Sequence, residues 1–187
     1  MSDSVIANPN LYVITGGPGA GKTTLLRELA KRGEACVEEA ARQIIQEQVQ
    51  AAGGAVPWGD TTRYAELMLE RSIADFVQHS TAQQPTFFDR GIPDVLCYAR
   101  LIGMGEQAIR AACAKYKYNQ LVFIAPPWQE IYTVDEERKQ TFAEAVETCR
   151  LMQRSYQDCG YAPIDLPRVA VEDRAEFVMR RIALDGR

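Results

Sequence analysis

Between positions 16 and 23 the chain reads Gly-Gly-Pro-Gly-Ala-Gly-Lys-Thr, which fits G-x-x-x-x-G-K-[ST] at every fixed position. Glycines in such a turn let backbone N–H groups converge on phosphate oxygens without a Cβ in the way. A helix that starts there adds the partial positive charge of its N-terminus. The stretch Gly17, Pro18, Gly19, Ala20 and Gly21 is therefore expected to cradle the phosphates of a nucleotide. Lys22 is expected to reach the β- and γ-phosphates as a solvent-facing charge on a preformed loop. Thr23 would ligate Mg²⁺ and Thr24 would hydrogen-bond the α-phosphate. The implied ligands are ATP and Mg²⁺, with GTP left open.

Further groups could act beside such a loop. Asp89 closes an apolar run and is followed at once by Arg90 and Gly91. A carboxylate there can hold Mg²⁺, often through water, or take a proton from an attacking hydroxyl, and Arg90 can hold that carboxylate or a substrate group. The alternative is a helix-capping Asp with Arg90 in a structural ion pair. Glu38 and Glu39 precede Arg42; Glu39 and Arg42 are three apart, share one face of a helix start and can form one polar cluster. Glu39 could orient an acceptor hydroxyl or act as general base; acidic residues are also favourable at any helix N-terminus. In the run 135–139, Arg138 or Lys139 could swing onto a transferring phosphoryl group, or the run is simply a solvated face. Trp58, Tyr98, Trp128 and Tyr132 could wall a pocket for a planar ring, or pack in the core.

The elements that must position these groups alternate in type. Apolar, β-branched runs over 11–15, 35–38, 85–89, 120–125 and 162–166 predict five strands. Helical periods are expected over 22–31, 39–50, 60–79, 93–102, 106–116, 140–159 and 171–184, with Asp60 or Thr61 as a cap and Pro93 in a first turn. Such alternation implies a parallel sheet covered on both faces. The fold class expected is α/β: a three-layer P-loop nucleoside-triphosphatase of the nucleoside- and nucleotide-kinase type, with a five-stranded parallel sheet and a lid-like segment over 126–140. Residues 1–10 read as a flexible lead-in to one domain spanning 1–187.

With 187 residues, 47% of them hydrophobic, the chain can bury a core without staples. The net charge of −4 argues against a broad nucleic-acid footprint. The cysteines Cys36, Cys97, Cys113, Cys149 and Cys159 form no C-x-x-C pair and read as reduced thiols of a cytoplasmic protein. His79 is the only histidine, which excludes a histidine-rich metal centre. No apolar run approaches the ~20 residues of a membrane span, so no membrane partner is expected.

Taken together, several stretches resemble a known family. They are the run from Val13 to Thr24, Glu39-Ala-Ala-Arg42, Phe87-Phe-Asp-Arg-Gly-Ile-Pro-Asp94, Pro126-Pro-Trp-Gln-Glu-Ile-Tyr132, Glu137-Arg-Lys139, Gly160-Tyr161 and Leu166-Pro167. They are similar to the small bacterial P-loop ATPase domains labelled AAA, a family that includes the ribosylnicotinamide kinase domain of bacterial NAD regulator proteins. No stretch resembles the arginine-finger and sensor apparatus of ring-forming AAA machines, nor the adenylyltransferase and DNA-binding parts of that regulator. The resemblance implies that Lys22 and Thr23 serve phosphate and Mg²⁺. It places Glu39, Asp89, Arg42 and Asp94 on the acceptor side, and Arg138 on the lid. The expectation is an ATP- and Mg²⁺-dependent phosphotransferase acting on a small hydroxyl-bearing, nucleoside-like metabolite. The rivals are an ATPase or GTPase that switches a protein partner, and a nucleotide-binding module without catalysis.

Overall fold

Side chains of the central strand alternate between two cores. In β2 (Leu11–Gly16), Leu11 and Val13 enter one cluster, while Tyr12 and Ile14 enter the other. That period of two, with neither face polar, marks a strand covered on both sides. The computed structural model describes residues 4–17, 19–131 and 141–185. Along the chain, β1 (Ile6–Ala7) and β2 lead to α1 (Lys22–Lys31), β3 (Ala35–Val37), α2 (Ala40–Gln50) and α3 (Thr61–His79). Then follow β4 (Thr86–Asp89), α4 (Ile92–Ile102), α5 (Gln107–Lys115), β5 (Tyr116–Lys117) and β6 (Leu121–Ala125). A single 3₁₀ turn at Gln129–Ile131 precedes α6 (Phe142–Asp158), β7 (Ala162–Asp165) and α7 (Val171–Asp185).

The five expected strands all form, and all are parallel, in the order β3-β4-β2-β6-β7. Leu25, Leu26 and Leu29 of α1 pack with Ala175, Val178 and Ile182 of α7 on one face. The other face carries α3 to α6, through Phe76, Ile92, Leu96, Ile109, Cys149 and Met152. Each of the larger apolar side chains among these contributes about 1.5–3 kcal/mol on burial, so both layers are held firmly to the sheet. From β2 the chain first goes to one side (β3, β4) and later to the other (β6, β7). The crevice beyond the carboxyl ends of the strands at such a reversal is where this architecture places ligands. Gly16, Asp89 and Ala125 all lie on that edge, with Ile14 opposite Asp89 and Gly16 opposite Ala125.

Local chemistry sets the helix ends. The Asp60 side chain accepts from the Arg63 backbone N–H at 2.9 Å, which caps α3. Thr141 and Glu144 form a reciprocal capping box on α6. One helix ends early, because Tyr116 leaves it to begin β5. No helix among the described residues is long and apolar enough to cross a membrane.

The expectation of a flexible lead-in over 1–10 fails for residues 6–10. Ile6 and Ala7 pair in parallel with Tyr116 and Lys117, making a second, two-stranded sheet. Asn8 is buried, and its Nδ2 donates to the carbonyls of Ser80 and Ala82, both at 3.0 Å. Its Oδ1 accepts from the Asn10 backbone N–H at 2.9 Å. A two-residue strand has no readable period, so only these bonds reveal it. Asn8→Ala takes a donor from the Ser80 and Ala82 carbonyls, of which Ala82 keeps Asn10 Nδ2, and should lower the unfolding free energy by about 1–3 kcal/mol. Urea denaturation measures this directly; an unchanged midpoint would return the segment to the status of a loose leader.

Candidate active site

The loop at 16–23 owes its path to three glycines in conformations that other residues rarely adopt. Gly16 has φ +140°, and a Cβ on it would lie 2.3 Å from the Ala125 carbonyl oxygen of the neighbouring strand. Gly19 and Gly21 have φ +74° and +76°, in the left-handed region. Gly21 caps α1 without a side-chain bond, and no acidic residue sits in the first turn. The first N–H groups of α1 therefore face the loop with their partial positive charge uncancelled. Ala20 is buried, Thr23 half-buried and Thr24 exposed. Pro18 lies outside the described residues.

Lys22 departs from expectation. It is 7% exposed, not a solvent-facing charge, and its Nζ donates to the carbonyls of Gly16 (3.0 Å) and Gly17 (3.1 Å). Burial lowers its pKa from 10.5 to about 8, and Arg90 adds to that, against the pull of Asp89, Glu39 and Asp94. The ammonium is thus held inside the loop by its own backbone, one carboxylate cluster away from compensation.

That cluster forms at the ends of β4 and β3. Asp89 is buried, and its Oδ1 has no hydrogen-bond partner. Burial raises its pKa; Lys22 opposes this, and Glu39 adds to it. Arg90 takes a left-handed backbone (φ +75°) while its N–H donates to the Ile14 carbonyl at 3.0 Å. Its Nε donates to Glu39 Oε1 at 2.6 Å and its Nη1 to Asp94 Oδ1 at 3.2 Å. Burial works against the Arg90 charge, but Glu39, Asp94 and Asp89 outweigh it and hold the pKa above its ordinary value. For Glu39, burial alone would raise the pKa; Arg90 and then Lys22 bring it down to about 2.

Asp94 lies in the first turn of α4, and both of its oxygens are engaged. Oδ1 accepts from Thr15 Oγ1 (2.5 Å) as well as Arg90, and Oδ2 accepts from the Gly91 N–H (2.8 Å) and the Tyr156 hydroxyl. The expected Glu39–Arg42 pairing does not form. Arg42 is exposed and acts on Glu39 only through space, because the Arg90 guanidinium already occupies the inner side of Glu39. Arg138, with Tyr132 and Lys139, lies outside the described residues, as does most of the lid-like segment. Of its described part, Pro127 accepts from Arg168 Nη2 at 3.0 Å.

Beyond Asp89 and Arg90 opens a cavity of about 360 Å³, which sequence reasoning did not locate. One wall is a stripe along α3 of Tyr64, Met68, Ser72 and Asp75, at helical spacing. The opposite walls include Phe88, Tyr98 and Tyr118. Of the aromatic residues proposed to wall a pocket, Tyr98 lines this cavity, edge-on to Tyr64. Trp58 is 72% exposed and does not line it, and Trp128 instead lies under the Arg174 guanidinium, 5.8 Å from its ring centre. Arg174, also unforeseen, is buried against the loop, where a Cβ on Gly21 would come within 2.9 Å of its Nη1.

The low pKa of Glu39 has a stability consequence. A carboxyl whose folded pKa is depressed stabilises the fold above its unfolded pKa and loses that contribution as pH falls toward the folded value. The stability difference between wild type and Glu39→Gln should therefore be greatest above pH 4.5 and shrink toward about pH 2. Urea midpoints of both proteins across that window measure it; a difference independent of pH would contradict the Arg90 pairing.

Comparison with known proteins agrees with this geometry. The family model described as AAA domain matches residues 11–174. Among curated proteins, none matches the sequence. Solved structures share the fold at low identity. A NadR protein in complex with NR aligns at TM-score 0.69 and 17% identity, over 93% of this chain and 50% of the other, so the chain spans half the length of that protein. A deoxyadenosine kinase from M. mycoides aligns at TM-score 0.64 and 15% identity, covering 93% and 99%. Shikimate kinase from Acinetobacter baumannii aligns at 0.54 and 15%, covering 94% and 93%. The fold is that of the P-loop kinases, and the loop, the sheet that carries it and the match over 11–174 establish that the chain belongs to the AAA-domain family.

Proposed function

We propose that this protein is an ATP- and Mg²⁺-dependent phosphotransferase that phosphorylates a hydroxyl of a small, nucleoside-like metabolite. The observation that carries this reading is the position of Asp89. A buried carboxylate with an unpartnered oxygen stands within electrostatic reach of Lys22 of the loop, and it also lines the cavity. A nucleoside-triphosphatase needs only a water there, so the cavity supports an organic acceptor rather than a switch. The kinase fold of the aligned structures supports the same class of chemistry.

The residues fit the metal. Thr23 and the unpartnered Asp89 Oδ1 are hard oxygen donors, and among the described residues no group of three His, Cys, Asp or Glu could hold a cation alone. A two-donor site completed by phosphates and water is what Mg²⁺ prefers. Thr23 would hold it directly and Asp89 through water, and the bound ion supplies charge neutralisation between the β- and γ-phosphates. The loop N–H groups and Lys22 bind the phosphates. In the reaction the acceptor oxygen forms a bond to the γ-phosphorus as the bridging P–O bond breaks, and ADP leaves with that electron pair. Glu39, held ionised down to about pH 2 and locked to Arg90, is a poor base, so the proton of the acceptor hydroxyl goes to Asp89. Glu39 and Asp94 act by positioning Arg90, whose charge faces the transferring group; Arg138 is the further cation assigned to it, and Arg42 to the acceptor entrance.

ADP release should rise above the ATP-only rate when the right acceptor is supplied, and Asp89→Asn should lower kcat by about 10²-fold or more. Stimulation by no hydroxyl-bearing compound would overturn the kinase reading. Because Lys22 is buried, Lys22→Met, which keeps its length, is the cleaner probe of the loop than an alanine. ATP with Mg²⁺ should raise the melting temperature of wild type and not of this variant; equal shifts would remove the loop as the nucleotide site.

A further inference from the structure

The cavity beyond Asp89 has a chemistry that narrows the acceptor, given that the phosphotransferase reading holds. Its ionisable lining is one-sided. Glu38, Glu39, Asp75, Asp89 and Asp94 face it, and among the described residues Arg90 is the one cation lining it, already bound to Glu39 and Asp94. Among the described residues lining the cavity, an acceptor with its own carboxylate or phosphate would meet no free positive charge and several negative ones. Like charges at such distances, with little water between, cost several kcal/mol.

The polar groups away from the reacting end tell what the acceptor must carry instead. The α3 stripe is apolar or aromatic at Tyr64 and Met68, then polar at Ser72 and Asp75, although all four face the same space. The Asp75 carboxyl accepts no side-chain hydrogen bond, and its neighbours Arg71 and His79 act on it only at longer range. Arg71 is spent on Gln43 and Glu47, and the His79 ring meets the Asp75 backbone carbonyl. Two hydroxyls of the opposite walls are also without partners. Tyr118 is 5% exposed, and its hydroxyl has only the Ile92 amide nearby, outside hydrogen-bonding geometry; the buried Tyr98 hydroxyl has none. The Tyr98 and Tyr118 hydroxyl oxygens are themselves closed to solvent, so of the three groups the half-buried Asp75 carboxyl is the one open to a ligand that completes its bonding. Between them Phe88, Tyr98 and Tyr118 offer flat aromatic surface.

We infer that the acceptor is a non-acidic molecule whose planar ring carries an exocyclic N–H donor, bound by Asp75 and packed against the Phe88, Tyr98 and Tyr118 side chains. Its phosphorylated hydroxyl lies at the opposite end, beside Asp89. Asp75 is thus a specificity-determining residue remote from the bond that forms. The assignment separates this chain from a kinase for acids such as shikimate, although the fold is shared.

The test measures ADP release from ATP and Mg²⁺ with adenosine and cytidine, each against the same riboside lacking the exocyclic amine, and with AMP and shikimate as acidic acceptors. Wild type should favour at least one amino riboside over its amine-free counterpart by about tenfold or more in kcat/KM, with both acids inactive; a site built to bond an N–H rejects analogues without it. Asp75→Asn should bring that preference to within about twofold. It should leave the melting temperature unchanged or raised, since it removes a half-buried charge without a hydrogen-bonded partner. Turnover of an acid, equal turnover of both ribosides, or a preference untouched by Asp75→Asn would overturn the inference and leave the kinase reading standing. If neither riboside is a substrate but another hydroxyl compound is, the inference again falls alone. ADP release stimulated by no acceptor at all brings down both.

Discussion

One buried carboxylate ties the working edge of the sheet together. Taking Asp94 out of water costs several kcal/mol unless its oxygens are fully bonded. Here they are, by Thr15 at the end of β2, Arg90 after β4, the Gly91 amide at the head of α4, and Tyr156 of α6. Three stretches far apart in sequence, at Thr15, Arg90-Gly91 and Tyr156, are referred to one side chain. The phosphate loop leaves β2 directly after Thr15, and Arg90 follows Asp89, so Asp94 ties the loop's point of departure to Arg90. Removing any one partner would leave a charge short of its bonds, which is why this network tolerates change poorly.

A chain of compensations runs outward from it. Lys22 feels Asp89, Arg90 and Glu39, Asp89 feels Lys22, Glu39 and Arg90, and Glu39 and Arg90 act on each other. Arg90 is the charge that Glu39 needs to stay ionised, and it is also a repulsion that Lys22 must bear. Asp89 is left the least satisfied of the set. A structure built for stability alone would pair that carboxylate; one that handles phosphate and protons benefits from keeping it available.

How much of this could be read from residues alone follows from the range of the interactions. The phosphate loop was legible because its chemistry depends on local backbone freedom, written as Gly16, Gly19, Gly21 and Lys22 in fixed spacing. The five strands were legible because burial on both faces leaves unbroken apolar runs such as 11–15. The burial of Lys22 was not, since it depends on the carbonyls of Gly16 and Gly17 turning inward. Nor was the partner of Glu39. Arg42 is three residues away and Arg90 is 51, and only the pairing of β3 with β4 brings the distant one closer. The structured segment at 6–10 and the cavity under α3 are likewise products of tertiary contact. The one sequence trace of the cavity is the turn from apolar to polar along Tyr64, Met68, Ser72 and Asp75.

The left-handed backbone of Arg90 makes that position an unusual one to probe. A residue with a Cβ gives up about 1–2 kcal/mol in this conformation, and glycine does not. Arg90 offsets that cost with its bonds to Glu39 and Asp94. An alanine there would keep the strain and lose the bonds, confounding folding with chemistry. Glycine would lose the bonds and release the strain, so the two effects oppose and the backbone stays relaxed. At this position the smallest residue is therefore the better instrument for isolating charge, and a scan by alanine would overstate how much the guanidinium contributes to holding the fold.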